Sequence, residues 1–214
     1  TVVSHTLRLQ SLNLTGGDVT LSECASHNCI VGGSVLMGVV GTIFTEECLF
    51  TMNKAKSGGA ISTTLGGLSK LQFVNTNFTH NIAGQGGGGG AIFVHGSTLI
   101  LDGDFIYKNK LVSDSYDGGG IYASSSSCTF RHTVIEANTA GRGGGIYQIR
   151  GLTVLNDTKL VRNKAVSPKS LGGGMMGQSA TVHMEDSIIS ENEASCPGAG
   201  ICLSGNHIPG EGAS

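Results

Sequence analysis

Phe78-Thr79-His80-Asn81, followed after a short gap by Gly89-Gly90-Ala91-Ile92, is the stretch that decides the fold, because it recurs along the chain. Phe50-Thr51-Met52-Asn53 stands before Gly58-Gly59-Ala60-Ile61 in the same way. Looser copies run from Ile106 to Asn109 with Gly118 to Ile121, from Ile135 to Asn138 with Gly143 to Ile146, from Leu160 to Asn163 with Gly172 to Met175, and from Ile189 to Asn192 with Gly198 to Ile201. A weaker early copy is Ala25 to Asn28 with Gly32-Gly33-Ser34-Val35. The anchoring residues Asn28, Asn53, Asn81, Asn109, Asn138, Asn163 and Asn192 lie 25, 28, 28, 29, 25 and 29 residues apart. A period of that length marks a solenoid.

Between each glycine pair and the next asparagine the apolar residues alternate. One unit reads Ile92, Leu99-x-Leu101, Ile106, Asn109, and the next reads Ile121, Cys128-x-Phe130, Ile135, Asn138. Ile146, Thr153-x-Leu155, Leu160, Asn163 and Met175, Val182-x-Met184, Ile189, Asn192 follow. Alternation with period two argues strands, and no segment carries a helical stripe. Three short strands per repeat predict an all-β parallel β-helix, a single continuous domain over residues 1–214 with a polar tail from about 205. About eight rungs stacked at roughly 4.8 Å make a rod on the order of 35–40 Å tall. Ile92, Ile121, Ile146, Met175 and Ile201 should then form one buried column, each side chain stabilising by roughly 1.5–3 kcal/mol. The asparagines should form a structural ladder, their amides bonding from rung to rung, with Asn expected to take the left-handed corner conformation itself.

The paired Gly-Gly-Ala-Ile and Phe-x-x-Asn tetrapeptides resemble the repeats of the polymorphic outer-membrane proteins of chlamydiae, over essentially residues 20–202. That resemblance implies a right-handed winding, display at a cell surface, and adhesive or structural roles. The chlamydial proteins are autotransporters, and no membrane β-barrel follows the repeats in this sequence.

Composition narrows the classes. There are 35 glycines but 3 prolines, which fits many tight corners and neither collagen nor a disordered linker. A formal charge of −2 gives no reason to expect nucleic acid as partner, and no apolar run is long enough to span a bilayer. The first residues lack a basic and apolar leader pattern, so a secretory signal is expected to be removed or to lie outside this sequence. Cys128 falls on an inward column and reads as a buried free thiol. Cys24 and Cys48 precede their asparagines at similar distances and are expected to bridge adjacent rungs. Cys196 and Cys202 flank a glycine corner and could close a small loop, leaving Cys29 over. Sequons at Asn13, Asn77 and Asn156 are glycosylation candidates in a secreted protein.

Little in the sequence points to catalysis. Asp102, Asp104, Asp114, Asp117, Asp157, Glu185 and Asp186 are scattered over several rungs, and no long insertion or adjacent acid–base pair is evident. Gly86 to Gly90 lacks the Lys-Ser/Thr ending of a phosphate-binding loop, and the threonines do not form one regular column. Phe93, Tyr122, Tyr147 and Met176 each follow a corner Ile position, so alternation turns them outward as a candidate contact surface. The reading is a non-enzymatic extracellular or cell-surface scaffold, an adhesive rod or filament subunit. It needs no cofactor, and its expected partners are its own copies, other surface proteins and glycans. A polysaccharide-binding or polysaccharide-cleaving β-helix of the pectin-lyase-like class is the alternative.

Overall fold

A computed structural model describes residues 5–17, 35–37, 41–63, 68–84, 87–168 and 170–205. The described residues hold strands and turns without a helix, and every strand pair is parallel, wound as a β-solenoid of about six turns. The repeat length explains this outcome. Each rung has three short apolar runs that cannot bury their faces alone, and stacking rung on rung buries them all at once.

The second of the three sheets shows the stacking most plainly. Seven three-residue strands follow one another, Asn13–Thr15, Leu49–Thr51, Asn77–Thr79, Phe105–Tyr107, Val134–Glu136, Lys159–Val161 and Ile188–Ser190. Their central residues Phe50, Phe78, Ile106, Ile135 and Leu160 are in register and buried, and the rings of Phe50 and Phe78 stack at 4.9 Å. The first sheet starts as two columns. Ile61–Thr63 and Ile92–His95 belong to one, and Gly41–Glu46, Lys70–Val74 and Thr98–Asp102 to the other. The two fuse into the long strands Ile121–Arg131, Ile146–Asn156 and Met175–Glu185, each kinked at one residue with φ of 50–52° (Ser125, Arg150 and Ser179). The third sheet is a narrow ladder of the two-residue strands Lys54–Ala55, Ile82–Ala83, Lys110–Leu111, Thr139–Ala140 and Lys164–Ala165.

The expected columns are present residue for residue. Ile61, Ile92, Ile121, Ile146, Met175 and Ile201 pair in sequence, as do Leu99, Cys128, Thr153 and Val182. Polar side chains are built into this core, Gln148 and Thr153 among them. Gln148 is fully buried, its amide donating to the carbonyls of Ser126 and Arg150 while its Oε1 accepts from Thr153 Oγ1 at 3.1 Å, so the kink at Arg150 is braced from inside.

The glycine pair serves two needs. Gly89 has φ +70°, where a Cβ would collide with the carbonyl oxygen of Ile92. On Gly90 a Cβ would strike the carbonyl of Gly119 on the next rung. The first glycine turns the chain, and the second lets neighbouring rungs approach.

Candidate functional site: a basic groove beside the asparagine ladder

The corner between the second and third sheets is built on the asparagines. In Asn109 the Oδ1 accepts from the amide of Asn81 at 2.9 Å and from its Nδ2 at 3.0 Å. Its own Nδ2 donates to the Phe78 carbonyl at 2.9 Å and to Asn138 Oδ1 at 3.1 Å. Asn53, Asn81, Asn138 and Asn163 repeat this pattern, and Asn192 continues it by donating to the Leu160 carbonyl. Both amide hydrogens and both acceptor sites are used, so the side chain can be buried at no polar cost. Asn28 lies outside the described residues. The place in register with Asn53 on the preceding rung belongs to Gly17, whose amide donates to Asn53 Oδ1 across 36 residues of chain.

The left-handed conformation expected of the asparagines belongs instead to the residue before each. Met52, His80, Lys108, Ala137, Arg162 and Glu191 have φ between 52° and 56°. The asparagine must aim its amide into the corner, so the reversal of the chain falls on its predecessor. That residue's side chain is left on the outside.

These predecessors form one wall of a groove along the rod, and the residues after the asparagines form the other. Two adjoining depressions of about 380 and 370 Å³ share His80 and Ile82. They are lined by Met52, Lys54, Lys108, Lys110, Ala137 and Thr139, with the Asn109 ladder position at the floor. Among the described residues no carboxylate lines either depression. Beside the groove the Tyr107 ring stacks on Phe105 at 5.1 Å, meets His80 edge-on at 5.8 Å, and carries the Lys108 ammonium 4.9 Å from its centroid. Farther along, the cations are paired: Arg162 with Glu136 at 2.6 Å, and Lys164 with Glu193 at 2.6 Å. The sequence carried a signal for this groove in the basic residues flanking the repeat asparagines, as in Lys108-Asn109-Lys110 and Asn53-Lys54.

The expected contact surface of Phe93, Tyr122, Tyr147 and Met176 is not available. These side chains do point away from the core and stack, with Phe93 5.0 Å from Tyr122 and Tyr122 5.5 Å from Tyr147. They are covered, however: Phe93 is 5%, Tyr147 1% and Met176 3% exposed, and Tyr122 is half-buried. The long glycine corners fold back over them. Gly87 and Gly88 lie so close to Phe93 and Tyr122 that a Cβ on either would press on a ring. The Arg142 guanidinium sits 5.1 Å from the Tyr147 centroid, held there by two bonds to Asp117 at 2.9 and 2.8 Å. Burial pushes the Tyr147 phenol up to about 12.

The cysteine bridges also need correction. Cys48, Cys196 and Cys202 are free thiols, and Cys24 lies outside the described residues, as does Cys29. Cys48 is buried and turns its sulfur to the carbonyl of Glu46 at 3.3 Å. Cys202 stacks on Met176, while the Cys196 amide is tied to the Ser170 carbonyl at 3.1 Å on another corner, so their shared glycine loop does not bring them to bond. Cys128 is buried as expected, and desolvation pushes its thiol up to about 12. Of the sequon residues, Asn13 and Asn77 are exposed and Asn156 is half-buried, its amide donating to Glu185 at 3.3 Å.

The carboxylates are spread over separate corners. Asp102 meets His132 Nδ1 at 2.9 Å on the surface, while Asp117 sits on the glycine corner with Arg142. Asp104 belongs to a second ladder that the sequence did not announce, in which Cys48, Thr76, Asp104, Thr133, Thr158 and Ser187 occupy the corner between the first and second sheets. Thr76, Thr133 and Thr158 each donate a hydroxyl to the carbonyl two residues back. Asp104 is 1% exposed and accepts from the amides of Thr76 and Asp102, yet burial still pushes its carboxyl up to about 7. Among the described residues no three His, Cys, Asp or Glu side chains are grouped to hold a metal ion. Comparison with known proteins finds no family model, no curated protein and no solved structure that matches this chain.

Proposed function

We propose that this chain is a non-enzymatic scaffold displayed outside the cell or on its surface, an adhesive rod or filament subunit of the kind the chlamydial repeats resemble. It associates with its own copies or with other surface proteins through the ends of the solenoid. One observation carries this reading. Columns buried in the middle rungs come to the surface at the terminal described ones, with Leu7 38%, Leu12 45%, Met184 44% and Leu203 55% exposed. A further rung, from this polypeptide or another copy, would cover them and pair the open strand edges. The winding is taken as right-handed, since parallel crossovers overwhelmingly are, and the full count as about eight rungs. The sequon residues Asn13 and Asn77 are exposed, which would leave room for glycans on an extracellular glycoprotein, while Asn156 is half-buried.

Light scattering and electron microscopy of the purified chain test this. End-to-end particles that dissociate in a Met184→Lys/Leu203→Lys variant are expected. A strictly monomeric wild-type chain at high concentration would refute assembly through the ends.

A second reading, polysaccharide binding, is favoured by the groove at His80, Lys108 and Lys110, which places two lysines on one rung of a chain of net charge −2.

A further inference from the structure

We infer that Asn77 carries an N-linked glycan whose first sugar packs against Phe105 and Leu49 on the outer face of the second sheet. This deepens the extracellular glycoprotein reading and rests on it, while assembly through the ends stands or falls separately.

The fold sorts the asparagines by what their side-chain amides already do. From Asn53 to Asn192 the ladder amides are donated within the corner, and Asn156 gives its Nδ2 to Glu185 at 3.3 Å. Asn77 is exposed, and among the described residues its side chain makes no hydrogen bond. It opens the strand Asn77–Thr79, in which Phe78 turns to the core. The acceptor amide and the Thr79 hydroxyl of the sequon therefore share the outward face.

Register supplies the surface for the sugar. Asn77 stands between Leu49 on the preceding rung and Phe105 on the following one, and Thr79 stands between Thr51 and Tyr107. Leu49, Phe105 and Tyr107 are half-buried, and Tyr107 takes one face of the Phe105 ring at 5.1 Å. With rungs roughly 4.8 Å apart, a sugar on Asn77 Nδ2 begins within one side-chain length of both apolar neighbours. The C–H face and acetyl methyl of N-acetylglucosamine can cover them and remove apolar area from water. Asn156 has no such surface, because its neighbours in register are Arg131 and Glu185.

The donor is a lipid-linked oligosaccharide diphosphate, met as the chain is secreted. Asn77 Nδ2 bonds to the anomeric carbon of the first N-acetylglucosamine, and the bond from that carbon to the diphosphate oxygen breaks. The lipid diphosphate leaves with the electron pair, and the amide proton passes to a base of the transferase. In the folded rod the Asn77 backbone amide is held by the Cys48 carbonyl at 2.8 Å, so transfer precedes closure of this rung.

Peptide mapping of the protein isolated from its natural source, after peptide N-glycosidase treatment in heavy-oxygen water, tests the inference. The Asn77 peptide should carry the label. The deglycosylated protein should melt roughly 2–4 °C below the glycosylated one, and Asn77→Gln should melt with it. In a Leu49→Ala/Phe105→Ala variant secreted from the same cells, the loss on glycan removal should shrink to less than about 1 °C, whereas Val161→Ala, farther along the same face, should keep it. Circular dichroism verifies that the variants fold, and Phe105→Leu gives the milder test if the double variant does not. The inference is overturned if protein recovered from the medium or cell surface has an unmodified Asn77, if glycan removal leaves melting unchanged, or if the double variant loses as much as wild type. An unmodified Asn77 on secreted protein leaves the scaffold reading standing, whereas protein found only inside the cell removes both. Light scattering on the same samples reads assembly independently of the glycan.

Discussion

Replacing Asp104 by threonine should make the chain more stable at neutral pH and leave it little changed in acid. The carboxyl sits among hydroxyl neighbours, accepting from the Thr76 and Asp102 amides in a site that is 1% exposed. Desolvation outweighs those two bonds, with the Asp102 charge adding to it, and the group titrates at about 7 in place of 3.8. The folded state therefore binds its proton more tightly than the unfolded chain does. Its stabilising contribution is complete below the unfolded value of 3.8, drains away as pH rises, and is gone above about 7. A little over three decades at 1.36 kcal/mol each come to about 4 kcal/mol. A threonine would restore the hydroxyl that Thr76, Thr133 and Thr158 all supply, at a cost of about 1 kcal/mol for the acceptor lost to the Asp102 amide. Urea denaturation of both proteins at about pH 4 and about pH 8 reads the difference. The substitution should move from slightly destabilising in acid to stabilising by about 3 kcal/mol at the higher pH. Because other carboxylates titrate in both proteins, only the pH dependence of the difference is diagnostic. A difference that stays constant to within about 0.5 kcal/mol would refute the buried, protonated carboxyl.

Asn109→Ala should cost about 3–5 kcal/mol in denaturant melts, since it leaves the Asn81 amide groups and the Phe78 carbonyl unpaired in the interior. Ala137→Gly should stabilise by roughly 0.5–1 kcal/mol, because φ of 55° strains an alanine by more than glycine's added chain entropy costs. Tyr147→Ala should lose about 3–5 kcal/mol, removing a buried ring and its bond to Gln178, where an exposed contact residue would lose almost nothing. Alkylation followed by peptide mapping should label the half-buried Cys196 and Cys202 in the native protein, and Cys128 only after unfolding.

The inward columns were legible because a parallel stack repeats its register. Once Asn109 and Asn138 are aligned, Leu99 must meet Cys128 and Leu101 must meet Phe130, and they do. The same rule located the ladder from Asn53 to Asn192. It failed where corner length varies. Val35 does pair with Ile61 as the glycine alignment predicts, but the rung entering Asn53 comes from Gly17, across an insertion that a constant period hides. It failed again at Phe93 and Tyr147. Alternation gives the face of the strand from which a side chain leaves, and says nothing of a glycine corner returning over that face.

The corner at the asparagine also divides its labour between two residues, and this bears on where specificity resides. The asparagine is fixed by four hydrogen bonds and cannot be exchanged cheaply. Its predecessor accepts the left-handed backbone, at a cost on the order of 1 kcal/mol for a residue with a Cβ, and places its side chain where no ladder constrains it. Methionine, histidine, lysine, alanine, arginine and glutamate all occupy that position with φ values within a few degrees of one another. The fold fixes the backbone of this column and leaves its chemistry open, as it does at the corner between the first and second sheets, where Ser11, Glu47, Asn75, His132, Asp157 and Asp186 also have positive φ. A Gly-only column would relieve the strain and leave the rod intact, but it would strip one wall of the groove of His80 and Lys108. The strain follows from the corner itself, and the side chains on this wall are those that the fold does not dictate.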